Sequence, residues 1–367
     1  MQRKKVLTFN ENHPFSNFPL KPPRQSLGEF YRLNKKAISK PLITHIYTAD
    51  PSAHVFNGKI YIYPSHDIDA GEAFDDLGSH FAMEDYHVIS MDSINSEAID
   101  NGLALHVDDI PWAEKQLWAP DAHEKDGKYY LFFPAKAYDG IFRIGVAISA
   151  SPTGPFTAQP EAIKGSFSID PAVFKDDDGN YYMYFGGLWG GQLQRWRTES
   201  FNPNEPKNPT AFIPKDNEPA LLPLVAKLTD DLLEFSEPPK QLEILDAEGN
   251  LLLAGDNCRR FFEASWMHKY NGSYYFSYST GDTHLICFIC YAIGDNPYGP
   301  FTYKGILLEP VVGWTSHHSI CEVDKKWYLF YHDSSLSKGV THLRSIKLAE
   351  IIYNEDGPIV PLKPYID

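Results

Sequence analysis

Asp170-Pro-Ala-Val-Phe-Lys-Asp-Asp-Asp-Gly-Asn-Tyr-Tyr-Met-Tyr-Phe-Gly-Gly187 decides the fold, because it is one copy of a unit that the chain repeats. A charged residue opens a short apolar strand, a polar turn containing Gly179 follows, and an aromatic strand returns. Four further copies begin at Asp50 (DPSAHVFNGKIYIYPS), Asp121 (DAHEKDGKYYLFFPA), Glu263 (EASWMHKYNGSYYFSYS) and His317 (HHSICEVDKKWYLFYH). Gly58, Gly127, Gly179 and Gly272 stand where a hairpin turn needs positive φ, and the fifth turn uses Asp324-Lys-Lys. The repeat therefore predicts five β-hairpins.

Working outward, shorter strands trail two of the units: Ile144-GVAISASPTGPF and Cys290-YAIGDNPYGPF share a strand, a small-polar turn and a Gly-Pro-Phe ending. Radial repetition of four-stranded sheets accounts for this arrangement, so the expected fold is all-β, a five-bladed β-propeller forming a single domain over residues 1–367. The units begin at residues 50, 121, 170, 263 and 317, and the two long intervals call for insertions. One is expected at about 191–257, where Phe201-NPNEPKNP and Lys227-LTDDLLEFSEPPKQ interrupt the rhythm, as an elaborated loop on one face. Residues 1–40 carry no unit and are expected as an N-terminal extension, either an outer strand that closes the ring or a cap.

Composition narrows the function. With 33 Lys+Arg against 48 Asp+Glu the formal charge is −15, spread along the chain, which repels a phosphate backbone; no nucleic-acid partner is expected. No apolar run has the length of a signal peptide or a membrane span, so a cytoplasmic protein with no membrane partner is expected. Four cysteines (258, 287, 290 and 321) are too few to staple a chain of this size and read as reduced thiols. Cys287-Phe-Ile-Cys290 has zinc-knuckle spacing, but it lies in an apolar run without a second Cys or His pair and reads as a buried strand.

In a propeller the innermost strands line a central channel, and the residues that open them converge on one mouth. Here these are Asp50, Asp121, Asp170, Glu263 and His317. Carboxylates gathered in one pocket repel one another, which raises some pKa values and leaves other groups ionised. Acid–base chemistry on a glycosidic bond has that requirement. Asp121 sits closer to its returning aromatic pair than the other openers do and reads as the structural member.

Taken in order, Ala49-Asp-Pro51, Leu117-Trp-Ala-Pro-Asp121, Ser168-Ile-Asp-Pro171, Phe262-Glu-Ala264, His317-His-Ser319 and Leu343-Arg-Ser345 resemble glycoside hydrolase family 43, the five-bladed propellers that include β-xylosidases and α-L-arabinofuranosidases. The resemblance implies an inverting mechanism with Asp50 as general base on water, Asp170 as the tuning and orienting carboxylate, and Glu263 as general acid. It implies that Arg344 reaches the sugar next to the scissile bond. A calcium or other divalent ion beside His317 is expected on the same ground, on the propeller axis, although one imidazole makes a weak site for a hard cation. His318 competes with it as a residue facing the substrate, since adjacent strand residues point oppositely and only one can face the channel. Trp118 and Trp189 are candidates for stacking on a sugar face, with packing between blades as the alternative.

The function expected is an exo-glycosidase that releases β-D-xylosyl or α-L-arabinofuranosyl residues from small oligosaccharides. An endo-acting arabinan hydrolase would need an open groove, and a non-catalytic sugar-binding propeller would need no acid–base pair.

Overall fold

Each repeated unit folds as its turn chemistry requires. In the computed structural model, which describes residues 35–72, 75–282 and 285–366, Tyr47–Phe56 pairs with Lys59–Asp67 across Asn57-Gly58, and Asp121–Lys125 with Lys128–Ala137 across Asp126-Gly127. Glu263–Tyr270 pairs with Ser273–Asp282 across Asn271-Gly272, and His318–Val323 with Lys326–Asp333 across Asp324-Lys325. Both residues of all four turns have positive φ, the type I′ geometry whose twist matches that of the flanking strands. Lys325 takes this conformation (φ 65°) without a glycine's freedom, so the fifth turn is the most strained. Ala172–Lys175 and Tyr181–Phe185 close instead over the longer loop 176–180, where Gly179 has φ 83°.

Each hairpin seeds one sheet, and the five sheets form a five-bladed β-propeller. The five hairpin-opening strands stand in a ring: each contacts the next, and His318–Val323 returns to Tyr47–Phe56. Closure is made by backbone. Ile38 N–H donates to Pro364 O (3.0 Å), Leu42 N–H to Ile346 O (2.8 Å) and Thr48 N–H to Arg344 O (2.9 Å), so residues 38–48 run beside the outer strand Ser345–Ile351 before entering the first blade. Of the extension expected at 1–40, residues 1–34 lie outside the described residues.

Both faces of every blade are covered by neighbours, which explains why the returning strands are apolar without alternation: all five residues of Tyr181–Phe185 are buried. Ile60, Ile62, Ile89 and Met91 of the first blade pack on Phe330 and Ile346 of the fifth, while Tyr63, Tyr86 and Val88 pack on Leu131 and Phe133 of the second. Each such side chain contributes roughly 1.5–3 kcal/mol on burial. The structure therefore uses the aromatic repeat as the glue between blades. Cys290 and Cys321 are free thiols, and Cys290 is buried in the strand Leu285–Gly294.

The region 191–257 differs from the inserted loop expected there. It supplies the two outer strands of the third blade, Leu224–Lys227 and Lys240–Gln241, and Ile244–Leu245, which pairs in parallel with Phe301–Leu308 of the fourth. These strands are two to four residues long. Lys240–Gln241 is an exposed edge strand that needs no apolar run, while Leu224–Lys227, apolar and buried at three of its four positions, is hidden by its brevity within proline- and charge-rich sequence.

Candidate active site

Four of the five strand-opening residues meet in one pocket: Asp50, Asp170, Glu263 and His317. Their placement depends on local backbone distortion. Register slips between Ala49 and Ser52 and between Glu263 and Trp266 mark β-bulges at the mouths of the first and fourth blades, and a bulge re-aims the side chain beside it. Asp50 (φ 49°), Asp170 (φ 57°) and Ala264 (φ 63°) all lie in the left-handed region, which costs energy for residues other than glycine and concentrates at working sites.

Asp121, the fifth opener, does not line the pocket. Its carboxylate accepts from the Ser52 hydroxyl, from His54 Nε2 (2.7 Å), from Ala122 N–H (2.7 Å) and from Val173 N–H, so it ties the first three blades together.

Arg344 organises the first blade's side of the pocket. Its Nη1 stands 2.9 Å from Asp50 Oδ1, and its Nε and Nη2 each stand 2.8 Å from Asp67, a two-point pair. The Ser65 hydroxyl donates to Asp50 Oδ2 at 2.7 Å. Burial opposes ionisation of Asp50, but Arg344 leads the groups that outweigh it, and the carboxyl titrates below its ordinary value. Behind it, His332 Nδ1 accepts the backbone N–H of Asp50 at 3.0 Å, and burial lowers its pKa to about 3, so the ring is neutral and its Nε2 faces Thr315 O.

Glu263 lies on the other side of the same balance. Burial, and next the charge of Asp50, raise its pKa to about 8. Asp170 is also pushed well up, by burial first and then by Glu263 and Asp50. Among the strand-opening acids, the pocket thus holds one, Asp50, kept ionised beside a guanidinium, and two, Glu263 and Asp170, pushed toward their protonated forms.

His317 and His318 are separated by strand alternation. His317 lines the pocket, with Nε2 3.9 Å from Asp170 Oδ2. His318, expected as a substrate-facing residue, is fully buried in the wall with Nε2 2.6 Å from the Ser277 hydroxyl, and does not line the pocket. The expectation for His318 is corrected accordingly. His317 Nε2 is buried without a hydrogen-bond partner, whereas Nδ1 accepts His318 N–H at 2.8 Å. For Nε2 to serve a metal as ligand, the ring proton must move to Nδ1 and that backbone bond must open. With that change His317 would be the one residue to touch a cation directly, and Asp50, Asp170 and Glu263 would face it through water.

Much of the remaining wall is aromatic, alongside Asp75, Asp76 and His80. Trp118 donates from Nε1 to Phe81 O at 2.8 Å, and its ring lies against two glycines: a Cβ on Gly78 would fall 2.6 Å from it, and one on Gly190 would fall 3.1 Å from it and 2.8 Å from Leu77 O. Trp189 stacks on Trp314 with ring centres 5.5 Å apart and meets Phe262 edge-on. Both predicted tryptophans therefore pack between loops and also face the pocket.

Sequence reasoning missed Asp67, His332, Trp314 and Phe81. Asp67 and His332 had a usable signal. Each ends the returning strand of a quoted unit or lies just beyond it, and in an antiparallel hairpin that end stands beside the residue that opens the first strand. Trp314 and Phe81 come from irregular segments whose approach to the pocket leaves no mark in the repeat.

Comparison with known proteins gives a consistent result. The sequence pattern of Glycosyl hydrolases family 43 matches residues 38–359. The chain is 61% identical over 334 residues to Xylosidase/arabinosidase 43A of Humicola insolens, covering 88% of this chain and 99% of that protein. It is 56% identical over 329 residues to a Xylosidase/arabinosidase of Bacteroides ovatus, covering 89% and 98%. Its fold matches the crystal structure of CoXyl43, a GH43 beta-xylosidase/alpha-arabinofuranosidase from a compost microbial metagenome, in complex with xylotriose in a calcium-free form. There the TM-score is 0.87 at 63% identity, over 90% of this chain and 99% of that one.

Proposed function

The chain belongs to glycosyl hydrolases family 43, and from that premise we propose that it is an inverting exo-glycosidase releasing β-D-xylosyl and α-L-arabinofuranosyl residues from small oligosaccharides. The observation that carries this reading is the pair of opposite proton states in one pocket: Asp50 held ionised by Arg344, Glu263 raised to about 8. Glu263 enters the reaction with its proton and delivers it to the leaving glycosidic oxygen. Asp50 takes a proton from water as that water attacks the anomeric carbon from the opposite face. Asp170 fixes the peptide that follows Glu263, and Arg344, whose donors are taken up by Asp50, Asp67 and Thr315, keeps Asp50 charged and would reach the adjacent sugar by exchanging its long 3.3 Å bond to Thr315. Trp118, Trp189, Trp314 and Phe81 give the sugar ring its apolar walls.

The choice of sugar rests on the relatives, named xylosidase/arabinosidase, and on the xylotriose bound to CoXyl43. A calcium ion beside His317 belongs to the same proposal, supported by the unpartnered Nε2 and by the calcium-free designation of CoXyl43. Bound there, its positive charge would favour the ionised form of Asp50. The test of the function is hydrolysis of p-nitrophenyl β-D-xyloside and α-L-arabinofuranoside, with NMR of fresh product. The xyloside should yield α-xylose first. Initial β-xylose would replace the water mechanism with a covalent one, and no hydrolysis of either substrate would refute the assignment.

A further inference from the structure

A second group of ligand-type side chains stands away from the pocket, on the first blade where it meets the fifth. By strand alternation His66 shares a face with Ile60 and Ile62, and Asp85 and His87 share one with Ile89 and Met91, the residues packed on the fifth blade. His66 Nδ1 is 2.5 Å from Asp85 Oδ1, and His87 Nε2 is 3.9 Å from Asp85 Oδ2. One ligand atom from each of the three residues lies within 4.8 Å of the other two.

Asp100 decides which nitrogen of His87 is available. Its carboxylate is 2.8 Å from His87 Nδ1, accepts Gly102 N–H at 2.8 Å and stands 2.9 Å from His45 Nε2. An ionised carboxylate cannot donate, so His87 Nδ1 carries a proton and donates to Asp100, which leaves Nε2 as the nitrogen turned toward Asp85; His66 Nδ1 likewise donates to Asp85 Oδ1 and would give up that proton to a metal. At 3.9 Å His87 Nε2 and Asp85 Oδ2 are too far apart to hydrogen-bond each other directly. A carboxylate behind a histidine that points its other nitrogen at a ligand cluster is also the arrangement that orients metal-binding imidazoles.

We propose that His66, Asp85 and His87 form a binding site for a zinc-type divalent cation, separate from the catalytic pocket, with Asp100 positioning His87. Two imidazoles and one carboxylate suit a borderline ion better than calcium. Metal–ligand bonds of about 2.0–2.2 Å put tetrahedral donors roughly 3.3 Å apart, between the 2.5 and 3.9 Å separations found here. The three side chains are 16–20% exposed, which leaves the fourth position to water. The ion would join the strands Lys59–Asp67 and Asp85–Met91. Through Asp100 and His45 it would also brace residues 38–48, the segment that closes the ring.

Cobalt(II) serves as the probe, in the full-length His317→Ala variant so that the pocket contributes no histidine ligand. One equivalent of Co²⁺ should produce the intense visible bands of a four-coordinate ion, and Zn²⁺ should displace it. Zn²⁺ at a hundredfold excess over its measured Kd should raise Tm by about 3–4 °C. Adding His87→Gln should abolish both effects while leaving the Tm in chelator unchanged. Asp100→Asn, which keeps all three ligands, should weaken Co²⁺ binding about 10–100-fold, and this arm stands even if the His87 variant folds poorly. Absence of the bands in His317→Ala, their persistence after His87→Gln, or unaltered affinity in Asp100→Asn would each reduce the cluster to a hydrogen-bonded network.

Discussion

Asp170 Oδ2 accepts the backbone N–H of Ala264 at 2.8 Å, so a carboxyl from the third blade holds the peptide that directly follows Glu263 on the fourth. The bond crosses 94 residues of sequence and lies at a bulge where Ala264 takes φ 63°. Asp170 and Glu263 are both pushed upward, each by burial first. The charge of Glu263 is among the causes that raise Asp170, and Asp170 in addition supplies position.

The acid and the base should be separable from folding. Asp50→Asn and Glu263→Gln should each lower kcat by about 10²–10⁴-fold with far-UV circular dichroism unchanged. An aryl leaving group that needs no protonation should rescue Glu263→Gln and not Asp50→Asn. Near-normal turnover in either variant would remove that residue from the mechanism.

The pH profile of kcat/KM should be a bell. Glu263 must hold its proton, so activity falls as pH rises through about 8. Asp50 must have lost its proton, so activity falls as pH drops through a value below the ordinary carboxyl range. Replacing Arg344 by Met removes the leading influence that offsets burial at Asp50, and the acid limb should then move upward. An unmoved acid limb would mean that some other group is the base.

Asp121→Ala tests the structural member. Four donors from three blades lose their acceptor, and a buried donor left unpaired costs about 1–3 kcal/mol. Chemical denaturation should show a loss of several kcal/mol. At a temperature where the variant stays folded, KM should be little changed, because the carboxylate does not line the pocket.

Chelation should lower activity and Ca²⁺ should restore it, with no response in His317→Ala. Because the ring proton must move off Nε2 before that nitrogen can bind a cation, the NMR shift of His317 Nε2 should change on Ca²⁺ addition. If exhaustive chelation leaves both rate and shift unchanged, the imidazole is a wall residue.

The sequence by itself determined the hairpins, their number and the residues that open them. These depend on chemistry within a few residues: Asn57-Gly58 or Asn271-Gly272 in a type I′ turn, an aromatic run behind it, an acid in front. The same locality concealed the outer strands of the third blade: Lys240–Gln241 is exposed, and the buried Leu224–Lys227 is too short to show a period. Only the tertiary structure decided what the acids do. Arg344 meets Asp67 and Asp50 across 277 and 294 residues of chain, and that contact exists only because residues 38–48 close the ring. Whether His317 or His318 faces the channel turns on the pleat at one strand end. The split in proton state between Asp50 and Glu263 depends on burial and on which charge lies nearest, and both are properties of the closed ring.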